Sequence, residues 1–188
     1  MKNVVVFFAT GTEECEALLV VDLLRRAGAA VTIAAVCEGG GTQVTSSHDI
    51  TIIADANAQD LDYNAVDMIV LPGGIPGTPN LAACPHVIGA VHSCMANGKW
   101  VAAICAAPSI LGSLGLLDGR NATAHAAFQD QLGGAKVQDA EVVLDGNLIT
   151  SYGLGGAIPF ALCLVAQLFG EETAAQIKAA IAYRHGAL

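Results

Sequence analysis

A chain of 188 residues is long enough to bury a core without disulfides or metals, and its 54% hydrophobic and 5% aromatic residues describe an interior of Ala, Val, Ile and Leu. The formal net charge of −9 argues against a phosphate-backbone partner, so nucleic-acid binding is not expected. No apolar run reaches the length that spans a bilayer, and six cysteines with no CxxC pair read as reduced thiols of a cytoplasmic protein, not as a disulfide framework.

In chain order, Asn3 to Phe8 is a β-branched and aromatic run that reads as a first buried strand, although Lys2 and the short apolar stretch superficially imitate a leader. Glu13 to Ala27 has helical spacing and stops at Gly28. Strands are predicted at Val31 to Val36, Ile50 to Ile53 and Val66 to Leu71, the last ending abruptly at Pro72-Gly73-Gly74. A helix over Pro85 to Ala96 opens with proline. Trp100 to Ile104 is the next strand and Pro108 to Leu114 the next helix. Strands at Ala122–Thr123, Val142–Leu144 and Leu148–Thr150 precede helices at Ala157–Phe169 and Thr173–Ala182. With no repeat and no long linker, residues 1–188 read as one domain. The alternation predicts an α/β fold with a mainly parallel sheet and helices on both faces. Sites in such sheets lie at the carboxyl ends of strands, which selects the loops Thr10 to Glu16, Pro72 to Gly77 and Cys105 to Ser109.

Cys105 stands where a buried strand turns directly into a helix, flanked by Ala103, Ala106 and Ala107, small enough to permit a tight elbow. Helix N–H groups would favour the thiolate and lower the thiol below its free value of about 8.5. A Cys that merely fills space explains the same residues equally well. Gly73 and Gly74 would let backbone N–H groups approach an oxyanion, or simply end a strand. Glu13 and Glu14 suit a helix N-terminus by dipole complementarity. Glu16, followed by Ala17 to Val21, would have its pKa raised if it points inward, and could then donate a hydrogen bond to a Cys105 thiolate. His125 follows a short strand and could act as base or proton shuttle, although a lone His is more often structural. No histidine pairs with another at ligand spacing, so no metal site is expected; no cofactor is expected either.

Together, Gly11-Thr-Glu-Glu-Cys-Glu16, Arg25-Arg-Ala-Gly28, Val70-Leu-Pro-Gly-Gly74, Ala102-Ala-Ile-Cys-Ala-Ala-Pro108 and Thr150-Ser-Tyr-Gly153 resemble the DJ-1/ThiJ/PfpI superfamily over nearly the whole chain, in the branch close to DJ-1. The resemblance implies a flavodoxin-like three-layer sandwich and a homodimer. It implies that Cys105 is the reactive, oxidisable cysteine with Glu16 hydrogen-bonded to it, and that Gly73, Gly74 and Ala106 surround the oxyanion position. It places His125 near that cysteine and Arg26 at an anion-binding seam. His48 replaces an arginine of some relatives at the same candidate anion site, and Leu154 replaces a common proline. Ala106 stands where the protease-like branch has a histidine, which argues against a peptidase. Ala126-Ala127 after His125 lacks the His-x-Glu of class I amidotransferases.

The implied activity is handling of small reactive aldehydes: glyoxalase III-type conversion of methylglyoxal to lactate, or deglycase action. The alternative is a non-catalytic oxidative-stress sensor or chaperone based on oxidation of Cys105. A thiamine-biosynthesis role, suggested by the name ThiJ, has neither a P-loop nor a Rossmann fingerprint behind it. The expected partner is therefore a small aldehyde or an oxidant, with no membrane.

Overall fold

The computed structural model describes residues 1–185, apart from the side chain of Glu38. Its main sheet has seven strands: β1 (Asn3–Ala9), β2 (Ala30–Val36), β5 (Ala56–Asn57), β6 (Met68–Leu71), β7 (Trp100–Ile104), β10 (Val142–Asp145) and β11 (Leu148–Ser151). They lie in the order β10-β11-β7-β6-β1-β2-β5. All pairings are parallel except the β10–β11 hairpin at one edge. Helices α1 (Glu14–Arg26), α5 (Ala157–Phe169) and α6 (Glu171–Ala180) cover one face, and α2 (Gly77–Ala83), α3 (Pro85–Ala96) and α4 (Pro108–Ser113) the other.

The strand sequences create these layers. In β1, Val4, Val6 and Phe8 enter the core with Val20, Leu24, Phe160 and Leu164, while Val5, Phe7 and Ala9 enter the opposite core with Leu81, Val87, Val91 and Leu111. Alternate side chains of one strand point to opposite faces, so a continuous apolar run fits a sheet buried on both sides. This is the three-layer, flavodoxin-like α/β arrangement.

Three elements depart from the sequence reading. The strand at Ile50 to Ile53 is β4 (Thr51–Ile53), which pairs antiparallel with β3 (Gln43–Thr45) outside the main sheet. The expected strand at Ala122–Thr123 is β8 (Asn121–Ala122), paired with β9 (Lys136–Val137) in a third sheet. Helix α2 has no counterpart in the sequence reading, which places Pro72 to Gly77 in a loop. Gly77 is needed there: a Cβ would stand 2.5 Å from the Thr12 amide nitrogen.

Strand order reverses between β1 and β6. The loops that follow β1, β6 and β7 therefore converge at the carboxyl end of the sheet, where open α/β sheets place their ligands. Among the described residues, no helix is long and apolar enough to cross a membrane.

Candidate active site

Cys105 leaves β7 with φ +64°, one of three non-glycine residues with positive φ among the described residues. That conformation crowds Cβ against the backbone and persists only where surrounding contacts impose it, as in nucleophile elbows. The contacts are visible. Cys105 N–H donates to Ser151 O at 2.9 Å, and His125 N–H donates to Cys105 O at 2.9 Å. The side chain is half-buried and hydrogen-bonded to Glu16.

Glu16, in the first turn of α1, is 1% exposed. Its Oε2 accepts from Gly73 N–H at 3.0 Å, and the Leu154 N–H is also directed to its carboxylate. Burial pushes its pKa up to about 7, against the hydrogen bonds from Cys105, Gly73 and Leu154, while the Glu13 charge pushes the same way as burial.

The thiol differs from the sequence expectation. Burial first, then the Glu16 carboxylate, push Cys105 up to about 12, although the N–H groups of Ala106 and Gly74 favour its thiolate. The reason is local. Residues 105–107 form a turn, and the helix beginning at Pro108 is only six residues long, so little dipole reaches the sulfur. Because the two groups share a hydrogen bond, they titrate as a pair. The proton lost near pH 7 leaves a single negative charge on the pair, and a second charge is strongly opposed. That charge rests mainly on Glu16, and a thiolate beside a neutral Glu16 is the minor of the two positions of the shared proton.

The three backbone residues named from sequence divide their work. Gly74 and Ala106 direct N–H groups at the sulfur, whereas the Gly73 N–H is committed to Glu16. A Cβ on Gly73 would stand 2.6 Å from Cys105 Cβ and 2.7 Å from Glu16 Oε2. Gly74 has φ +95° and packs flat on the amide of Glu13.

His125 is exposed, and its Nδ1 accepts from Ala127 N–H at 3.2 Å, which leaves the Nε2 edge to solvent. Gly153 lies between it and the cysteine. A Cβ there would meet His125 Cδ2 at 3.6 Å and Cys105 Sγ at 3.8 Å. The sequence marks Gly153 only as the end of the Thr150–Gly153 motif, and its position between the two side chains supplies its role.

Arg26 and His48 are each held by a carboxylate of their own chain. Arg26 Nε bonds Asp22 at 2.8 Å, and His48 Nδ1 lies 3.0 Å from Glu14, which also accepts from Ser47. Glu13, Glu14 and His48 bring one ligand atom each within 4.8 Å of one another, the one such cluster among the described residues. Glu13 is already engaged with the Glu16 N–H, and Glu14 with Ser47 and His48, so the group reads as a hydrogen-bonded cluster.

Comparison with known proteins gives this geometry a lineage. The model of the DJ-1/PfpI family matches residues 2–167. DJ-1 homolog A of Arabidopsis thaliana is 38% identical over 97% of this chain, and the chain spans 47% of that protein, about half its length. A glutathione-independent glyoxalase of Caenorhabditis elegans is 35% identical, covering 85% of this chain and 84% of its own. The crystal structure of a DJ-1 superfamily protein from Salmonella typhimurium superimposes with a TM-score of 0.92 at 39% identity, covering 98% of this chain and 100% of that one. The chain belongs to the DJ-1/PfpI family.

Proposed function

We propose that the protein handles small reactive aldehydes through Cys105, converting methylglyoxal to lactate in the manner of a glyoxalase III. The observation that carries this reading is the hydrogen-bonded Cys105–Glu16 pair, held by a strained elbow at the topological switch of the sheet. When the shared proton sits on Glu16, the sulfur is free to attack the aldehyde carbon, giving a hemithioacetal. The N–H groups of Gly74 and Ala106 face the sulfur and can receive the developing oxyanion. Glu16 or His125 then moves the proton of the attacked carbon to the neighbouring one, leaving a lactoyl thioester that water hydrolyses to lactate and free thiol. The conversion is redox-neutral and needs no cofactor. Deglycase action would be the same addition applied to aldehyde adducts of amines and thiols.

Methylglyoxal loss and lactate formation by purified protein are expected to vanish in Cys105→Ser; loss that continues unchanged in that variant overturns the assignment. A homodimer in the cytoplasm belongs to this reading, and sedimentation checks the dimer.

One observation favours a second reading. The donors that suit an oxyanion also suit a sulfinate, and Cys105 is half-exposed. A sensor requires peroxide to add oxygen to Cys105 alone among the six cysteines; uniform oxidation excludes it.

A further inference from the structure

An N-terminal capping box joins two residues of one helix: the N-cap side chain accepts from the N3 amide, and the N3 carboxylate returns to the N-cap amide. Helix α1 has the residues for this, with Glu13 at the N-cap and Glu16 at N3. Only half of the box is closed. Glu13 Oε2 accepts from Glu16 N–H at 2.6 Å, but the Glu16 carboxylate does not return to Glu13. The Gly73 peptide is interposed. Its carbonyl takes the Glu13 N–H at 3.0 Å, and its own N–H goes to Glu16 Oε2 at 3.0 Å. A circuit of three hydrogen bonds thus joins the first turn of α1 to the turn after β6. Gly74 packing on the Glu13 amide presses the same two loops together.

We propose that Glu13 is a positioning residue for the Cys105–Glu16 pair, acting through this expanded capping box. The inference rests on the reading of Cys105 as the reactive thiol. An ordinary cap would need only a short Ser, Thr, Asp or Asn side chain. Glu13 is longer and ionisable, and its carboxylate holds the residue whose own carboxyl must stay beside the sulfur. The titratable neighbours of Glu16 are Cys105 across the turn after β7, together with Glu13 and Cys15 on its own turn. The Glu13 charge raises the proton affinity of Glu16 and so favours the neutral acid that leaves the negative charge to sulfur.

The test is the pH profile of iodoacetamide alkylation at Cys105, read by mass in wild type, Glu13→Gln and Glu13→Ala. Gln keeps the acceptor and loses the charge, so its profile is expected to shift to lower pH and its plateau rate to fall by no more than about twofold. Ala opens the circuit, and its plateau is expected to fall about fivefold, the factor that one lost capping bond represents. If Ala does not fold, the Gln midpoint decides alone. Profiles that superimpose on wild type, or an Ala variant that changes only its melting temperature, overturn the inference. Selective alkylation of Cys105 without methylglyoxal turnover overturns the aldehyde function only; alkylation without preference for Cys105 overturns both.

Discussion

Replacing Glu16 with Gln keeps the size of the side chain and removes its titration, which isolates what the buried acid does to stability. In the folded chain Glu16 gains its proton at about 7 in place of 4.5. Between those values the native state holds a proton that the unfolded chain has released. Stability must therefore fall as pH rises through this window: it is fully retained below 4.5, and the loss is complete above about 7. At about 1.4 kcal/mol per pH unit, the loss in wild type amounts to about 3 kcal/mol. The variant has no such loss. Any change in packing or hydrogen bonding caused by the amide is independent of pH and offsets its whole curve without tilting it. Equilibrium urea unfolding at several pH values from 4.5 to 8 gives both curves, and the informative quantity is their difference. It should open by about 3 kcal/mol in favour of Gln as pH rises. Curves that stay parallel, or a wild type that gains on the variant towards neutrality, would refute the placement of a buried proton-binding carboxyl at this position. The thiol provides a companion measurement. With the neighbouring negative charge gone, absorbance titration of Cys105 near 240 nm should give a midpoint below the value of about 12 that the pair imposes.

Gly73→Ala inserts a methyl 2.6 Å from Cys105 Cβ and 2.7 Å from Glu16 Oε2, so it should cost about 2 kcal/mol in urea unfolding and abolish preferential alkylation of Cys105; wild-type behaviour in both would show that the turn is loose. Cys105 holds φ +64°, so Cys105→Gly should be more stable than Cys105→Ala by about 1 kcal/mol, with both inactive. An Ala variant equal to or better than Gly in thermal unfolding would mean that the elbow is unstrained. Thr78 is 4% exposed, and its Oγ1 has no hydrogen-bond partner. Thr78→Val should therefore be neutral or stabilising by up to about 1 kcal/mol in a melting comparison, and a destabilisation of similar size would show that the hydroxyl is engaged.

The legible part of this fold was carried by strands buried on both sides. Runs such as Val4 to Phe8 and Trp100 to Ile104 are apolar at successive positions, as a sheet covered on both faces requires. The junction at Cys105 was legible for the same reason, because a buried strand met a proline-started helix with only three small residues between. Short edge pieces were not. Ala56–Asn57 pairs through two residues only, too few to show a period. The charge state of the site was also hidden, since it depends on two groups far apart in sequence sharing one proton in one buried place. Glu13 was read as a dipole-complementing acid; that its cap is completed by a glycine sixty positions on has no local signature.

The backbone on either side of the Cys105 sulfur is fastened to residues 125 and 151, both of which follow it in the chain. During synthesis residue 105 therefore emerges well before the partners that hold it in its left-handed conformation. Until Ser151 has arrived and docked, that thiol is an ordinary side chain of a relaxed peptide with no acid aimed at it by design. The order of residues thus delays the elbow, and the pairing of this sulfur with Glu16, until the last strand of the sheet is in place.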